Sequence, residues 1–148
     1  MKKIITKEKG DIGLTQVIAD LTKNGINVAL PISEHLPFDL IAISEDGKLS
    51  RVSVKYSSGE DTIKINLRTI SSNSKGYVVK NVNFDDIDSF AVYSPISNQC
   101  YYINKNKIKV KNTFSLRLIP VKSKSVSKKT IDNLNFAESF KDVSNLWK

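Results

Sequence analysis

The sequence predicts an α+β domain in which one helix, a run of strands and a short terminal helix follow one another along the chain. Three features carry that expectation. Apolar residues keep helical spacing near the start. Beyond residue 25 they fall into short, often alternating runs. Gly, Pro, Asn and Asp cut those runs apart. A length of 148 residues suits a single domain, expected to span 1–148.

The helix is expected from Gly10 to Gly25, because Leu14, Val17, Ile18 and Leu21 repeat as one buried face. Asp11 suits the positive end of the helix dipole, and Asn24-Gly25 suits the C-terminal stop. Ile26 to Ile32 reads as a short strand broken by Pro31, and Pro37 to Ile43 begins a second. Glu45-Asp46-Gly47 is a turn signal, and Leu49 to Ser57 alternates as a third strand. Asp61 to Thr69 alternates too, with Ile63, Ile65 and Leu67 on one side. Ser71 to Gly76 reads as a flexible loop or a hairpin tip. Ser89 to Tyr93 and Gln99 to Ile103 are strands around a turn containing Pro95. Thr113 to Ile119 is a further strand, ended by Pro120. Val121 to Lys129 is polar, and Ile131 to Phe140 is the short terminal helix, with Leu134 and Phe136 to pack.

Composition narrows the function classes. With 40% hydrophobic and 26% charged residues, the chain is that of an ordinary globular domain. No apolar run approaches the ~20 residues of a membrane span. The first nine residues lack an apolar stretch of signal-peptide length. The single cysteine, Cys100, cannot form an internal disulfide and reads as a small buried hydrophobe. A cytoplasmic protein with no membrane partner is expected. The net charge of +8 is unevenly spread. The stretch from Tyr101 to Lys129 contains no Asp or Glu, so segment 104–130 is expected to meet phosphates. Lys105, Lys107, Lys109, Lys111, Arg117, Lys122 and Lys124 are its candidate nucleic-acid contacts. The plainer reading of the same stretch is a solvated lysine-rich surface.

The segment around Pro37-Phe38-Asp39 and Arg51-Val52-Ser53-Val54-Lys55 carries the chemistry. Strand alternation puts Val52, Val54 and Tyr56 on one face and Arg51, Ser53 and Lys55 on the other. A three-residue loop, Glu45-Asp46-Gly47, pairs Asp39 with Ser53 and brings Asp39, Ser53 and Lys55 to one face. A two-residue loop pairs Asp39 with Val54 and sends the acid to the wrong side. Gly47 fits the left-handed position of the longer loop. An Asp and a Lys so placed suit phosphodiester hydrolysis: the carboxylate holds a hard divalent cation, and the ammonium orients water or stabilises developing charge.

The ordered series Lys9-Gly10-Asp11-Ile12-Gly13, Gly25, Pro31, Ser33 to Ile41, Asp46-Gly47-Lys48 and Arg51 to Lys55 resembles the PD-(D/E)XK nuclease superfamily. Within it, the series looks most like the small group I intron-associated homing endonucleases. Asp86 to Tyr93 and Tyr101 to Ile103 look like the end of that family's sheet. The resemblance implies a restriction-endonuclease-like fold, with a central mixed sheet flanked by helices. It implies Mg²⁺-dependent hydrolysis of double-stranded DNA, with Mn²⁺ able to substitute, by a homodimer or higher homo-oligomer. Asp39 matches the motif's metal-binding Asp and Lys55 its Lys. Ser53 stands where the motif has Glu, Asp or, in some homing members, Gln. Asp11 matches an acidic position at the start of the first helix. The Val54 carbonyl supplies an oxygen whatever its side chain, so Asp39, Asp11 and Val54 are the expected metal ligands. Some relatives carry a Glu where this chain has Leu14 or Gln16.

Ser53 and Leu14 also support a second reading, a DNA-binding module of the same fold with a decayed site. The lysine-rich segment alone supports a third, an RNA-binding protein. Glu34 and His35 read as loop residues near Asp39, and Asp85, Asp86 and Asp88 as a solvated strand entry. Of Tyr101 and Tyr102, one is expected in the core and one at the surface.

Overall fold

Glu8 sets where the helix begins. Its carboxylate accepts from the Ile5 N–H (3.0 Å) and closes a first turn ahead of Gly10. In a computed structural model, which describes residues 2–120, 127 and 134–148, helix α1 therefore runs Thr6–Lys23, four residues longer at its start than expected. It stops where expected: Gly25 takes φ +75°, and the Ile26 N–H closes on the Leu21 carbonyl at 2.9 Å.

The main sheet has five strands in the order β1-β2-β3-β7-β8. These are β1 Asn27–Ala29, β2 Leu40–Ile43, β3 Leu49–Tyr56, β7 Ser89–Ser94 and β8 Gln99–Asn104. β1, β2 and β3 are antiparallel to one another, β3 and β7 are parallel, and β7 and β8 are antiparallel. The sheet is thus mixed, as the resemblance implied. Parallel neighbours need a crossover. Here it contains β4 Thr62–Asn66, β5 Arg68–Asn73 and β6 Gly76–Asn81. β4 pairs with β9 Thr113–Arg117 as a second sheet, and β5 with β6 as a third.

Both faces of the main sheet are covered. On one, Val17 and Leu21 of α1 pack on Leu40, Val52, Ala91 and Tyr102. On the other, Ile63, Ile65, Phe114 and Leu116 of the β4–β9 pair pack on Phe90, Val92, Tyr101 and Ile103. Every residue of β7 is buried. This double cover corrects the expectation for the tyrosines. Tyr101 and Tyr102 point to opposite faces, and both are core. The Tyr102 hydroxyl donates to Asp20 of α1 (2.5 Å), and burial together with that carboxylate pushes its pKa up. Cys100 is buried, and its thiol is pushed up to about 12, as an inert packing residue requires.

Two further sequence expectations change. Ser71–Asn73 belongs to strand β5, and β6, which follows it, carries no polar alternation to announce a strand. The short terminal helix takes 3₁₀ form in two single turns, Ala137–Phe140 and Val143–Leu146; residues 131–133 lie outside the described ones, as do 121–126 and 128–130. The chain end is pinned instead by hydrogen bonds. The Leu146 carbonyl accepts from Ser89 Oγ (2.6 Å) and Asn104 Nδ2 (2.9 Å) beneath the sheet.

Candidate active site

The turn before β3 decides the geometry. Gly47 has φ +81°, and the Ser44 N–H closes on the Lys48 carbonyl at 2.9 Å, so the loop is the three-residue one. The ladder pairs Ile43 with Leu49 and Leu40 with Val52. The ladder ends there, and Asp39, one residue earlier, closes on Val52 as well rather than pairing with Ser53 as expected.

β2 ends there, and the edge of β3 would be left unpaired. The Asp39 N–H donates to the Val52 carbonyl (2.9 Å), and Asp39 Oδ2 accepts from the Val54 N–H (2.6 Å). The carboxylate of this exposed residue therefore stands in for the missing strand. In an extended strand the N–H and C=O of one residue point the same way. The Val54 carbonyl is thus directed toward the same open edge.

Ser53 and Lys55 project from the opposite face to Val52. Ser53 is only 7% exposed, and Lys55 is half-buried. Together they line a cleft of about 250 Å³ whose far walls are Thr69 and Lys80 of the β5–β6 hairpin and Asn83 and Asp86 of the following loop. Among the described residues no side chain pairs with the Lys55 ammonium or the Ser53 hydroxyl. Asp86 and Lys80 are cleft residues that the strand pattern does not disclose. The only sequence signal for Asp86 is its place in the acidic run before β7.

The loop carrying Asp86 is held from below. Asp88 accepts from Arg51 Nε (3.0 Å) and from the Arg51 N–H (2.9 Å), and Lys105 Nζ lies 3.7 Å away. The Arg51 hydrogen bonds hold the Asp88 carboxyl below its ordinary value near 3.8, and Asp88 in turn raises Arg51. Arg51 Nη2 also donates to the Asp85 carbonyl (2.9 Å), and Lys105 Nζ to the Phe84 carbonyl (2.7 Å). This changes the reading of Lys105, which is engaged inward as a brace and leaves the expected phosphate-contacting set. It also changes the solvated-turn reading of the acids, since Asp88 is an ion-paired anchor.

The other candidates are placed as follows. Asp11 is exposed on α1, two residues before Gly13. Gly13 faces β3 so closely that an added Cβ would sit 3.3 Å from the Lys55 carbonyl oxygen. Two residues turn a helix by about 200°, so Asp11 points away from that contact, and the structure does not bring it to the cleft. Glu34 and His35 are exposed in the loop before β2, outside the cleft wall. Lys107, Lys109 and Arg117 line one groove along β9. Lys111 and Arg68 line another, which shares Asn81 and Val82 with the cleft. Lys122 and Lys124 lie outside the described residues.

The five-stranded mixed sheet places an acid just before one strand and a lysine on the next; Lys55 lines the cleft, and Asp39, outside its lining, is tied to the neighbouring Val54 N–H. The model of a PD-(D/E)XK endonuclease family matches residues 4–142, and the chain belongs to that family. Among solved structures it is similar to a bacterial homing endonuclease, I-Ssp6803I. The TM-score is 0.69 and the identity 21%, over 90% of this chain and 89% of that one; at such identity the likeness speaks for the fold. No curated protein matches. The chain is therefore a nuclease by family. No helix among the described residues is long and apolar enough to cross a membrane.

Proposed function

We propose that the protein is a Mg²⁺-dependent endonuclease that hydrolyses phosphodiester bonds of double-stranded DNA, of homing or restriction-like type. The observation that carries this reading is the hydrogen bond from Val54 N–H to Asp39 Oδ2 (2.6 Å). It ties the metal-binding acid of the motif to the residue just before Lys55.

The residues fit a hard cation. Asp39 Oδ1, the Val54 carbonyl, the Ser53 hydroxyl and, across the cleft, the Asp86 carboxylate are all oxygen donors. Among the described residues no group of three or more acids, histidines or cysteines is close enough to hold a metal alone. Water and the DNA phosphate must complete the shell, which is the habit of Mg²⁺, with Mn²⁺ able to substitute. When bound, the cation polarises the phosphoryl group and acidifies a water. Asp39 is oriented by the Val54 N–H. The unpaired Lys55 ammonium would orient the attacking water and face the charge that builds on the phosphoryl oxygens; the water gives its proton to solvent as its oxygen joins phosphorus, and the leaving ester oxygen takes a proton from solvent as the P–O bond breaks. Cutting both strands of a duplex favours a symmetric assembly of at least two copies.

Asp39→Ala and Lys55→Ala should each reduce plasmid cleavage in Mg²⁺ by at least about 100-fold, on the order of a lost charge-stabilising group, with the fold intact by circular dichroism. Cleavage at the wild-type rate by both variants would reject the site. One observation favours a second reading. The absence of a carboxylate at Ser53 suits a DNA-binding module that no longer cuts, and it predicts salt-sensitive duplex binding with no nicking in Mg²⁺ or Mn²⁺.

A further inference from the structure

The β5–β6 hairpin is unlike the rest of the fold. All twelve of its strand residues are exposed, and it joins neither larger sheet. A lone two-stranded hairpin is marginal in water and buries no core of its own. Its root is nevertheless fixed. The Val82 N–H donates to the Leu67 carbonyl (2.9 Å) and the Leu67 N–H to the Asn112 carbonyl (2.8 Å), which clamps both ends to the β4–β9 layer. From that root the two strands of six residues extend about 20 Å.

The register assigns its faces. Thr69 pairs with Lys80 and Ser71 with Val78, so these four side chains share one face. Thr69 and Lys80 line the same cleft as Lys55, so that face continues outward from the candidate active site. A duplex whose phosphate sits at Lys55 can run along it. Two strands about 4.8 Å apart fit a major groove about 12 Å wide. The face carries a hydroxyl that donates and accepts at Ser71, a methyl-bearing contact at Val78, and a cation at its root.

We propose that the β5–β6 ribbon is the sequence-reading element of this enzyme, laid in the DNA major groove beside the scissile phosphate, with Ser71 and Val78 against base edges. The proposal rests on the DNA-nuclease reading above. The reverse face, with Ile70 63% and Tyr77 83% exposed, points away from the cleft.

The test uses the full chain carrying Asp39→Ala, which binds without cutting, and the same chain with Ser71→Ala and Val78→Ala added. Each is equilibrated with a pool of randomised duplexes, and the bound DNA is sequenced. The first should enrich a defined sequence. The second should hold duplex DNA within about threefold of the first, yet lose roughly tenfold of preference at a few adjacent base pairs. Both substituted residues are exposed, so an unchanged thermal melt is expected to confirm folding. Selection of the same bases with undiminished preference would overturn the proposal. So would a fall in sedimenting mass with the ribbon variant, which would show this face covered by a second copy. An enriched sequence that the wild type leaves uncut in Mg²⁺ would sink the nuclease reading and leave the ribbon standing.

Discussion

Ser53 is where this chain departs most from its family's motif, and its surroundings say what the departure does. The residue is nearly buried, its hydroxyl opens on the cleft, and no neighbour among the described residues binds it. A hydroxyl in that position is a weaker ligand for a hard cation than a carboxylate. Ser53→Glu should therefore lower the Mg²⁺ concentration for half-maximal cleavage by roughly tenfold, read from rates across a Mg²⁺ titration. An unchanged requirement would mean that Ser53 does not face the cation. That Ser53 and Lys55 share a face is legible in the sequence because strand alternation has a fixed period, and Gly47 selects the loop that sets the register of β2 on β3. Asp86 and Lys80 are not legible. They reach the cleft through a loop and a hairpin whose paths depend on tertiary packing rather than on local pattern.

At the scale of elements, the ion-paired brace under the cleft matters most. Arg51 on β3 holds Asp88, and Lys105 beyond β8 holds both Asp88 and the Phe84 carbonyl. Three segments distant in sequence are thus fixed behind Asp86. Asp88→Asn should cost about 1 kcal/mol at neutral pH, a charge-assisted hydrogen bond discounted for partial exposure. The sign of its pH dependence is set by Arg51, which depresses the Asp88 pKa in the fold. The stabilisation is fully present above the ordinary value near 3.8, and it is lost as pH falls through the lower folded value. Denaturant midpoints of wild type and Asp88→Asn should therefore differ at pH 7 and converge on acidification below pH 3.8. The elements themselves were largely foreseeable. Apolar spacing gives α1, and alternation gives β3 and β4. The start of α1 was hidden because Gly10 looks like a boundary until the Glu8 carboxylate is seen closing the turn ahead of it. The β5–β6 ribbon was hidden because polar Ser71-Ser72-Asn73 reads as loop, and only cross-strand pairing makes it strand.

Across the whole molecule, the cationic residues form a path rather than a uniform coat. The cleft with Lys55 and Lys80 shares Asn81 and Val82 with the groove of Arg68 and Lys111. That groove shares Val110 with the one lined by Lys107, Lys109 and Arg117. A phosphate backbone can follow this line from the candidate site along β9. The charge pattern points to the segment without giving its course, and it counts Lys105, which is engaged with Asp88 and the Phe84 carbonyl. Each phosphate neutralised contributes a slope of about −0.9 in log affinity against log salt. Replacing Lys107, Lys109 and Lys111 together by alanine should make that slope shallower by about 2.7 and weaken duplex binding at low salt. The loss should be uniform across sequences, because phosphate contacts position DNA without reading it. The cleavage rate at saturating DNA should hold, since none of the three lies in the cleft with Lys55. Fluorescence anisotropy over a salt series on two unrelated duplexes measures both quantities. An unchanged slope would mean that the duplex leaves the cleft by another side, and that the lysines along this edge are only solvated charge.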